Sequence, residues 1–254
     1  MTLTYRQIEG ARLAETSTLH VIEDAVSYVV SSGHIGLISG PVGVGKSTSL
    51  RAALRTCPVS PVWLPIPPAY SPRDLVGWLH SRVVGPDLSG LYQRDLQDDL
   101  VTELTANPRP IVIANAERLT KEAAGQLEWI HSLSPGWPLF LVGITGTRER
   151  IWTEPHLRAQ ISCDIEVRPL SKDEVLRVLP GIHDIFFTAS RQLILELDCH
   201  FEGNLGSWMR FLHSCLAIIR LARSRGLQVH DLDSELAKAA LHQLMPRVTA
   251  SKVR

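Results

Sequence analysis

Short runs of consecutive apolar residues alternate with stretches of helical periodicity through the first part of the chain. Four runs have the length of buried strands, at residues 35–39, 62–66, 110–114 and 138–143. Elsewhere apolar residues recur every three or four positions, which predicts helices at 18–31, 48–57, 92–105 and 120–132. Strands that alternate with helices favour a parallel sheet covered by helices on both faces.

Two prolines refine this pattern. Pro65 lies inside the second apolar run, and because proline cannot donate to a sheet ladder it favours an edge strand or an early strand end. Pro72 follows Ser71, an order typical of a helix with a serine N-cap and proline at the first helical position.

The pattern becomes helical after Leu170. The segment Ser171-Lys172-Asp173-Glu174 is a capping box, which predicts that a helix starts there, and no strong strand signal follows it. Further helices are predicted at residues 189–197, 205–225 and 232–244. The sequence therefore predicts an α/β domain over residues 1–169, a small helical lid over 170–246 and a tail at 247–254.

Charge and cysteine usage narrow the class of protein. Lys plus Arg equals Asp plus Glu at 26 each, so no global basic field attracts nucleic acid. The four cysteines form no C-x-x-C pair, which argues against a zinc site or a disulfide framework. The amino terminus lacks the order of a signal peptide and no apolar run is long enough for a membrane span. We expect a cytoplasmic protein that does not bind membranes.

Residues 40–47 read Gly-Pro-Val-Gly-Val-Gly-Lys-Ser and match the pattern G-x-x-x-x-G-K-[ST] at every fixed position. The motif lies between a predicted strand and a predicted helix, where its glycines let main-chain N–H groups point at phosphates. The lysine adds a charge for the β- and γ-phosphates, and the serine hydroxyl is a ligand for Mg²⁺. The expected contacts to ATP are Gly40, Pro41, Val42, Gly43, Val44, Gly45, Lys46, Ser47 and Thr48.

The order of elements resembles that of the AAA+ ATPases, P-loop NTPases with a parallel sheet between helices and a small C-terminal helical lid. Residues 35–40 and 43–48 are similar to the start of the transposition-regulator branch, the TniB, TnsC and Mu B-type proteins. Leu141-Val142-Gly143 followed by Arg148-Glu149-Arg150 is similar to its sensor strand. The segment Glu202-Gly203-Asn204-Leu205-Gly206 is similar to its lid.

The strand after the phosphate loop departs from this family, in which it ends in an Asp-Glu pair. Ala114 and Asn115 occupy these positions, so the Walker B motif is degenerate. Asn115 can position a water but cannot take its proton, and general-base assistance is worth about 10²–10⁴-fold in rate. Glu117 reaches that water if the strand end is bulged; otherwise it is an ordinary carboxylate at a helix start.

The resemblance implies other site residues. Ile144 occupies the first sensor position, which leaves Thr145 for the γ-phosphate. A glutamine stands where a trans-acting arginine is expected, and Arg158 is its substitute. The lid has Gly206 where many AAA+ proteins carry arginine, and Arg210, one turn along the same helix face, is placed to approach the phosphates.

The same branch forms ATP-dependent oligomers, often filaments around duplex DNA. This implies contacts to DNA phosphates at Arg73, Arg118 and Lys121, which would be independent of DNA sequence. The alternative is that these are ordinary solvated charges at helix ends.

The leading hypothesis is an ATP-binding transposition regulator that hydrolyses ATP slowly or not at all. It would form rings or helical filaments with itself, bind double-stranded DNA and recruit a transposase or target-selection protein. The alternative is a STAND-like signalling or defence ATPase module that gates a protein–protein interaction without DNA. A small-molecule kinase is disfavoured, because no carboxylate is well placed as its base.

Overall fold

The computed structural model describes residues 5–225 and 231–244. A five-stranded sheet is built from β1 (Ile35–Ser39), β2 (Val62–Pro65), β3 (Ile111–Ala114), β4 (Leu139–Val142) and β5 (Ile161–Glu166). The strand order is β2-β3-β4-β1-β5, and every neighbouring pair is parallel. The α/β class with a parallel sheet is therefore confirmed.

Helices connect the strands and follow the last one. Along the sheet they are α1 (Ser17–Ser32), α2 (Lys46–Ala53), α3 (Pro72–Val83), α4 (Gln93–Ala106), α5 (Lys121–Leu133), α6 (Thr147–Ile151) and α7 (Pro155–Gln160). After the sheet they are α8 (Lys172–Ile182), α9 (Arg191–Phe201), α10 (Leu205–Ser224) and α11 (Ser234–Leu244). The tail predicted at 247–254 lies outside the described residues.

Local signals in the sequence explain where several elements begin. Ser71 caps α3 in a capping box with Asp74, and Pro72 is the first helical residue, as predicted. Ser171 caps α8 in the same way. Pro65 ends β2, which is an edge strand, because the missing N–H is tolerated only where one side of the strand is unpaired.

The strand β5 and the short helices α6 and α7 were not predicted from the sequence. Strand β5 is the second edge of the sheet, and its residues are half-buried or exposed. Its apolar residues alternate with polar ones from Ile161 to Val167, so it lacks the continuous apolar run of a fully buried strand. The alternation is the signal that identifies such a strand.

Contacts divide the chain into two compact units. The α/β unit comprises residues 17–42 and 46–168, and the helical unit comprises residues 1–16, 43–45 and 169–254 as far as they are described. The α/β core is formed by strands β1, β3 and β4 with the apolar faces of α3, α4 and α5. In the helical unit, Trp208 is fully buried among Phe186, Phe201 and Phe211.

Two buried polar side chains complete these cores. In the helical unit Asp198 accepts from the indole N–H of Trp208 at 3.0 Å and from the main-chain N–H of Gly203 at 2.9 Å. In the α/β unit Nε2 of His131 lies 3.1 Å from the Gly33 carbonyl oxygen, and burial lowers the pKa of its imidazole. Asp198 and His131 both have partners, which removes most of the cost of burying them.

None of the described helices combines the length and apolar character needed to cross a membrane. The described residues also contain no cluster of His, Cys, Asp and Glu suited to a metal ion.

Candidate nucleotide-binding site

The glycine-rich segment at residues 40–47 joins the carboxyl end of β1 to the first residue of α2. Gly40 has φ 140° and Gly45 has φ 98°, conformations that side chains disfavour. A Cβ on Gly40 would also lie 2.1 Å from the carbonyl oxygen of Val167. Both glycines are therefore required for the loop to curl onto the helix N-terminus, where main-chain N–H groups attract anions.

Lys46 is buried at the end of this loop. Its Nζ donates to the carbonyl oxygens of Gly40 at 2.6 Å and Pro41 at 2.7 Å. Burial lowers the pKa of Lys46 to about 8, and the negative charge of Glu117 opposes that shift. The structure therefore places a lysine and a carboxylate close enough for their charges to interact.

Glu117 reaches this position because the chain turns sharply after β3. Asn115 has φ 59° and ψ 43°, the left-handed conformation, and its side-chain amide donates to the Ile66 carbonyl oxygen at 3.2 Å. Asparagine adopts this conformation more readily than most residues. A 3₁₀ turn at Ala116–Arg118 follows and carries Glu117 back towards the loop.

The carboxylate of Glu117 is held on the side of β4. Its Oε2 accepts from the main-chain N–H of Ile144 at 3.2 Å, and the Glu117 carbonyl oxygen accepts from Arg150 at 2.7 Å. The distortion hypothesised at the end of β3 thus takes the form of a left-handed turn rather than a bulged strand. A catalytic role for Glu117 stays a prediction.

The side chains expected to bind Mg²⁺ and the γ-phosphate lie nearby. Ser47 is exposed in the first turn of α2, and its hydroxyl has no hydrogen-bond partner among the described residues. Thr48 follows it, half-buried. A hydroxyl at the loop and the carboxylate of Glu117 are the oxygen donors that Mg²⁺ prefers, so the residues present fit this ion. Thr145 is exposed in the loop after β4, next to Ile144.

Arg158 lies on α7 and is exposed. Its guanidinium carbon is 4.6 Å from the ring centroid of Trp152. Gln160, at the end of the same helix, is occupied structurally: its amide donates to Glu128 at 2.7 Å, and its Oε1 lies 3.1 Å from His131 Nδ1. The glutamine therefore contributes to packing, and Arg158 is the basic side chain that α7 presents to solvent.

Within the helical unit, to which Gly43 belongs by its contacts, Asn204 is the N-cap of α10. The main-chain N–H of Gly206 donates to the Gly43 carbonyl oxygen at 2.7 Å, and a Cβ on Gly206 would lie 3.0 Å from Gly43 Cα. A larger residue is thus disfavoured at 206. Arg210 is exposed on α10 and donates to the Ser207 hydroxyl at 3.0 Å; its proposed approach to phosphate stays a prediction.

The residues proposed to contact DNA lie where chain segments leave the carboxyl ends of the adjacent strands β2 and β3. Lys121 is the first residue of α5, exposed and without an ion pair among the described residues. Arg73, in the first turn of α3, donates to the Leu91 carbonyl oxygen at 2.9 Å. Arg118 donates to the Ile66 carbonyl oxygen at 3.0 Å, so its guanidinium is partly committed to the turn after β3.

Two site contacts were not predicted from the sequence. The main-chain N–H of Ile144 and the side chain of Arg150 both hold Glu117. Every residue except proline has a main-chain N–H, so the residue type at position 144 does not indicate that this group donates to Glu117. Arg150 belongs to the segment 148–150, but its contact with Glu117 depends on the turn after β3, which the sequence does not specify.

Residues 30–151 match the model of an AAA domain. No curated protein matches the chain.

Solved structures resemble most of the chain at low sequence identity. The Aeropyrum pernix Orc1 protein in complex with DNA has a TM-score of 0.63 at 16% identity, covering 92% of this chain and 66% of that one. The Thermotoga maritima RuvB Holliday junction branch migration motor has a TM-score of 0.56 at 15% identity, covering 89% and 67%. A Pyrococcus horikoshii STAND protein with a tetratricopeptide repeat sensor has a TM-score of 0.53 at 12% identity, covering 93% and 33%.

The chain spans about two thirds of the length of the Orc1 and RuvB structures. The AAA-domain match includes the loop at residues 40–47 and the turn that carries Glu117. The structural matches cover about nine tenths of the chain. This chain has the nucleotide-binding fold of the AAA+ P-loop ATPases.

Proposed function

We propose that the protein binds ATP with Mg²⁺ at residues 40–48, assembles with further copies of itself while ATP is bound, and regulates DNA transposition. The observation that carries the proposal is the buried Lys46 at the end of a glycine-built loop, bonded to two loop carbonyls and within range of the negative charge of Glu117. In this proposal residues 1–169 form the nucleotide-binding domain and residues 170–246 the lid.

Lys46 acts by charge. Its Nζ now bonds two loop carbonyls, Gly40 and Pro41, and the phosphates of ATP would compete for the same ammonium group. The Ser47 hydroxyl and Glu117 would hold Mg²⁺ directly or through water. When bound, this ion neutralises phosphate charge.

Hydrolysis is proposed to be slow. Ala114 provides no carboxylate, and the amide of Asn115 is directed to Ile66. Glu117 is then the carboxylate proposed to accept a proton from the attacking water. Thr145 and Arg158 are the other groups proposed to face the γ-phosphate. ATP would therefore act mainly as a switching ligand that maintains an assembly.

DNA contact is proposed at Arg73, Arg118 and Lys121. The likeness to an Orc1 protein whose structure is in complex with DNA supports DNA contact. Zero net charge disfavours strong binding by a monomer, but modest phosphate contacts repeated along a ring or helical filament add up. The transposase or target-selection partner is proposed from the transposition-type segment at residues 202–206.

Fluorescence polarisation with a labelled random duplex tests the proposal. At low salt we expect binding with ATP, weak binding with ADP, and none with ATP for Lys46→Ala. High salt should release the ATP-bound protein, because phosphate contacts exchange with counterions.

A STAND-like signalling module gives a different result in the same assay. It would assemble with ATP, as judged by sedimentation, and show no ATP-dependent binding to duplex at low salt. That pair of results would replace the DNA-binding proposal with the signalling one.

A further inference from the structure

The indole ring of Trp152, which follows α6, is approached by two guanidinium groups. The guanidinium carbon of Arg148 is 4.2 Å from the ring centroid and that of Arg158 is 4.6 Å from it. Trp152 itself is half-buried. Placing two guanidinium groups at one ring costs free energy, because each group loses hydration and the two positive charges repel each other.

The two arginines differ in what else they contact. Nε of Arg148 lies 2.8 Å from a carboxylate oxygen of Asp164 on β5, so its charge is neutralised locally. Arg158 is exposed and has no ion pair among the described residues. One arginine is thus paired with a carboxylate of the α/β unit, and the other has no such partner among the described residues.

The short helix that carries Arg158 is fixed on both sides of that residue. Leu157 is buried in the core at 1% exposure, and Gln160 is bonded to Glu128 and His131 of α5. The backbone at Arg158 therefore has little freedom, and Trp152 restrains the flexible side chain.

We propose that Trp152 is a positioning residue that holds the Arg158 guanidinium ready for the γ-phosphate of ATP bound to a second copy of the chain. This inference rests on the proposed function. A guanidinium attracted to an aromatic face can keep its N–H groups free for an anion, and its pre-organisation reduces the entropy lost when that anion binds. An exposed arginine without a carboxylate partner suits a ligand that arrives with a neighbouring chain.

Two replacements of Trp152 distinguish the effect of the aromatic ring from the effect of side-chain volume. Trp152→Phe keeps an aromatic face, whereas Trp152→Leu keeps apolar volume and loses the cation–π attraction. Trp129→Leu, an exposed tryptophan on α5, is the matched control. Thermal unfolding of each variant establishes that the fold is retained.

The first measurement is release of the fluorescent analogue mant-ATP from protein assembled on duplex, chased with ATP. Trp152→Leu should release mant-ATP about 2- to 10-fold faster than wild type does. The release rates of Trp152→Phe and Trp129→Leu should be within about twofold of the wild-type rate. Dilute, unassembled Trp152→Leu should bind mant-ATP with wild-type affinity. The double variant Trp152→Leu/Arg158→Ala should be no faster than Arg158→Ala alone, because the ring acts through the arginine.

A mixing experiment tests action between chains. Arg158→Ala chains keep their nucleotide site. Lys46→Ala chains do not assemble with one another, but they still offer Trp152 and Arg158 to the ATP bound by an Arg158→Ala neighbour. Adding Lys46→Ala chains should slow mant-ATP release from Arg158→Ala chains, and adding Lys46→Ala/Trp152→Leu chains should slow it less.

Three results would overturn the inference: wild-type release from Trp152→Leu, equal defects in the Phe and Leu variants, or no rescue on mixing. If wild-type protein does not bind mant-ATP at all, the proposed function fails first and this inference with it.

Discussion

The main-chain N–H of Ile144, just after β4, donates to the carboxylate of Glu117, just after β3, over 3.2 Å. This hydrogen bond joins the carboxyl ends of two adjacent strands beside Lys46. The carboxylate reaches this position by way of the left-handed turn at Asn115, although the strand itself ends in Ala114.

ATP affinity should fall as the pH rises above about 8. The pKa of Lys46 is lowered to about 8, so the free protein loses this charge at higher pH. Since phosphate binds the protonated lysine, affinity should be level below pH 7 and weaken by up to about tenfold per pH unit above pH 8.

Titrations of mant-ATP at several pH values measure this profile. Glu117→Gln should move the weakening to lower pH, because the carboxylate raises the pKa of Lys46. Lys46→Arg serves as a control, since arginine stays charged and any remaining affinity should be independent of pH. A flat profile for wild type would contradict the described environment of Lys46.

Steady-state ATP turnover should be below about one per second, the low end of typical enzyme rates. Glu117→Ala should reduce whatever turnover exists, because Glu117 is the carboxylate beside the loop. Fast turnover that survives both Asn115→Ala and Glu117→Ala would rule out a switching role for ATP.

Replacing Asn115 by alanine should destabilise the protein more than replacing it by glycine. Asn115→Ala loses the hydrogen bond to Ile66 and places alanine at φ 59°, for a cost of about 2 kcal/mol. Asn115→Gly loses the same hydrogen bond but fits the left-handed conformation, so it should cost less. Urea unfolding of the two variants measures the difference, and equal losses would mean that the backbone conformation contributes nothing.

The parts of the fold and of the site that could be predicted from the sequence are those determined by residue identity alone. The strands β1 to β4 are apolar runs, and the loop at residues 40–47 is a fixed motif, so both were predictable. The edge strand β5 was missed because its apolar residues alternate.

The remaining parts of the site depend on conformation. The direction of the Glu117 side chain depends on the φ of Asn115, which residue identity favours but does not dictate. Likewise, the packing role of Gln160 depends on His131 and Glu128, which lie far away in the sequence.

Duplex binding should depend on salt through Lys121 and Arg73. Lys121→Ala should weaken binding to every duplex sequence and reduce the slope of log Kd against log salt by about 1, as for one lost phosphate contact. Arg73→Ala should do the same. Arg109→Ala is the control, because Arg109 precedes β3, at the amino end of the strand rather than its carboxyl end, and pairs with Glu103. Equal effects of all three variants would argue against this interface.

Electron microscopy of the protein on duplex DNA tests most directly whether ATP maintains an assembly. With ATP we expect rings or filaments, and with ADP, or with Lys46→Ala and ATP, we expect none. Assemblies that form regardless of nucleotide, or single copies on DNA at saturating ATP, would contradict the account.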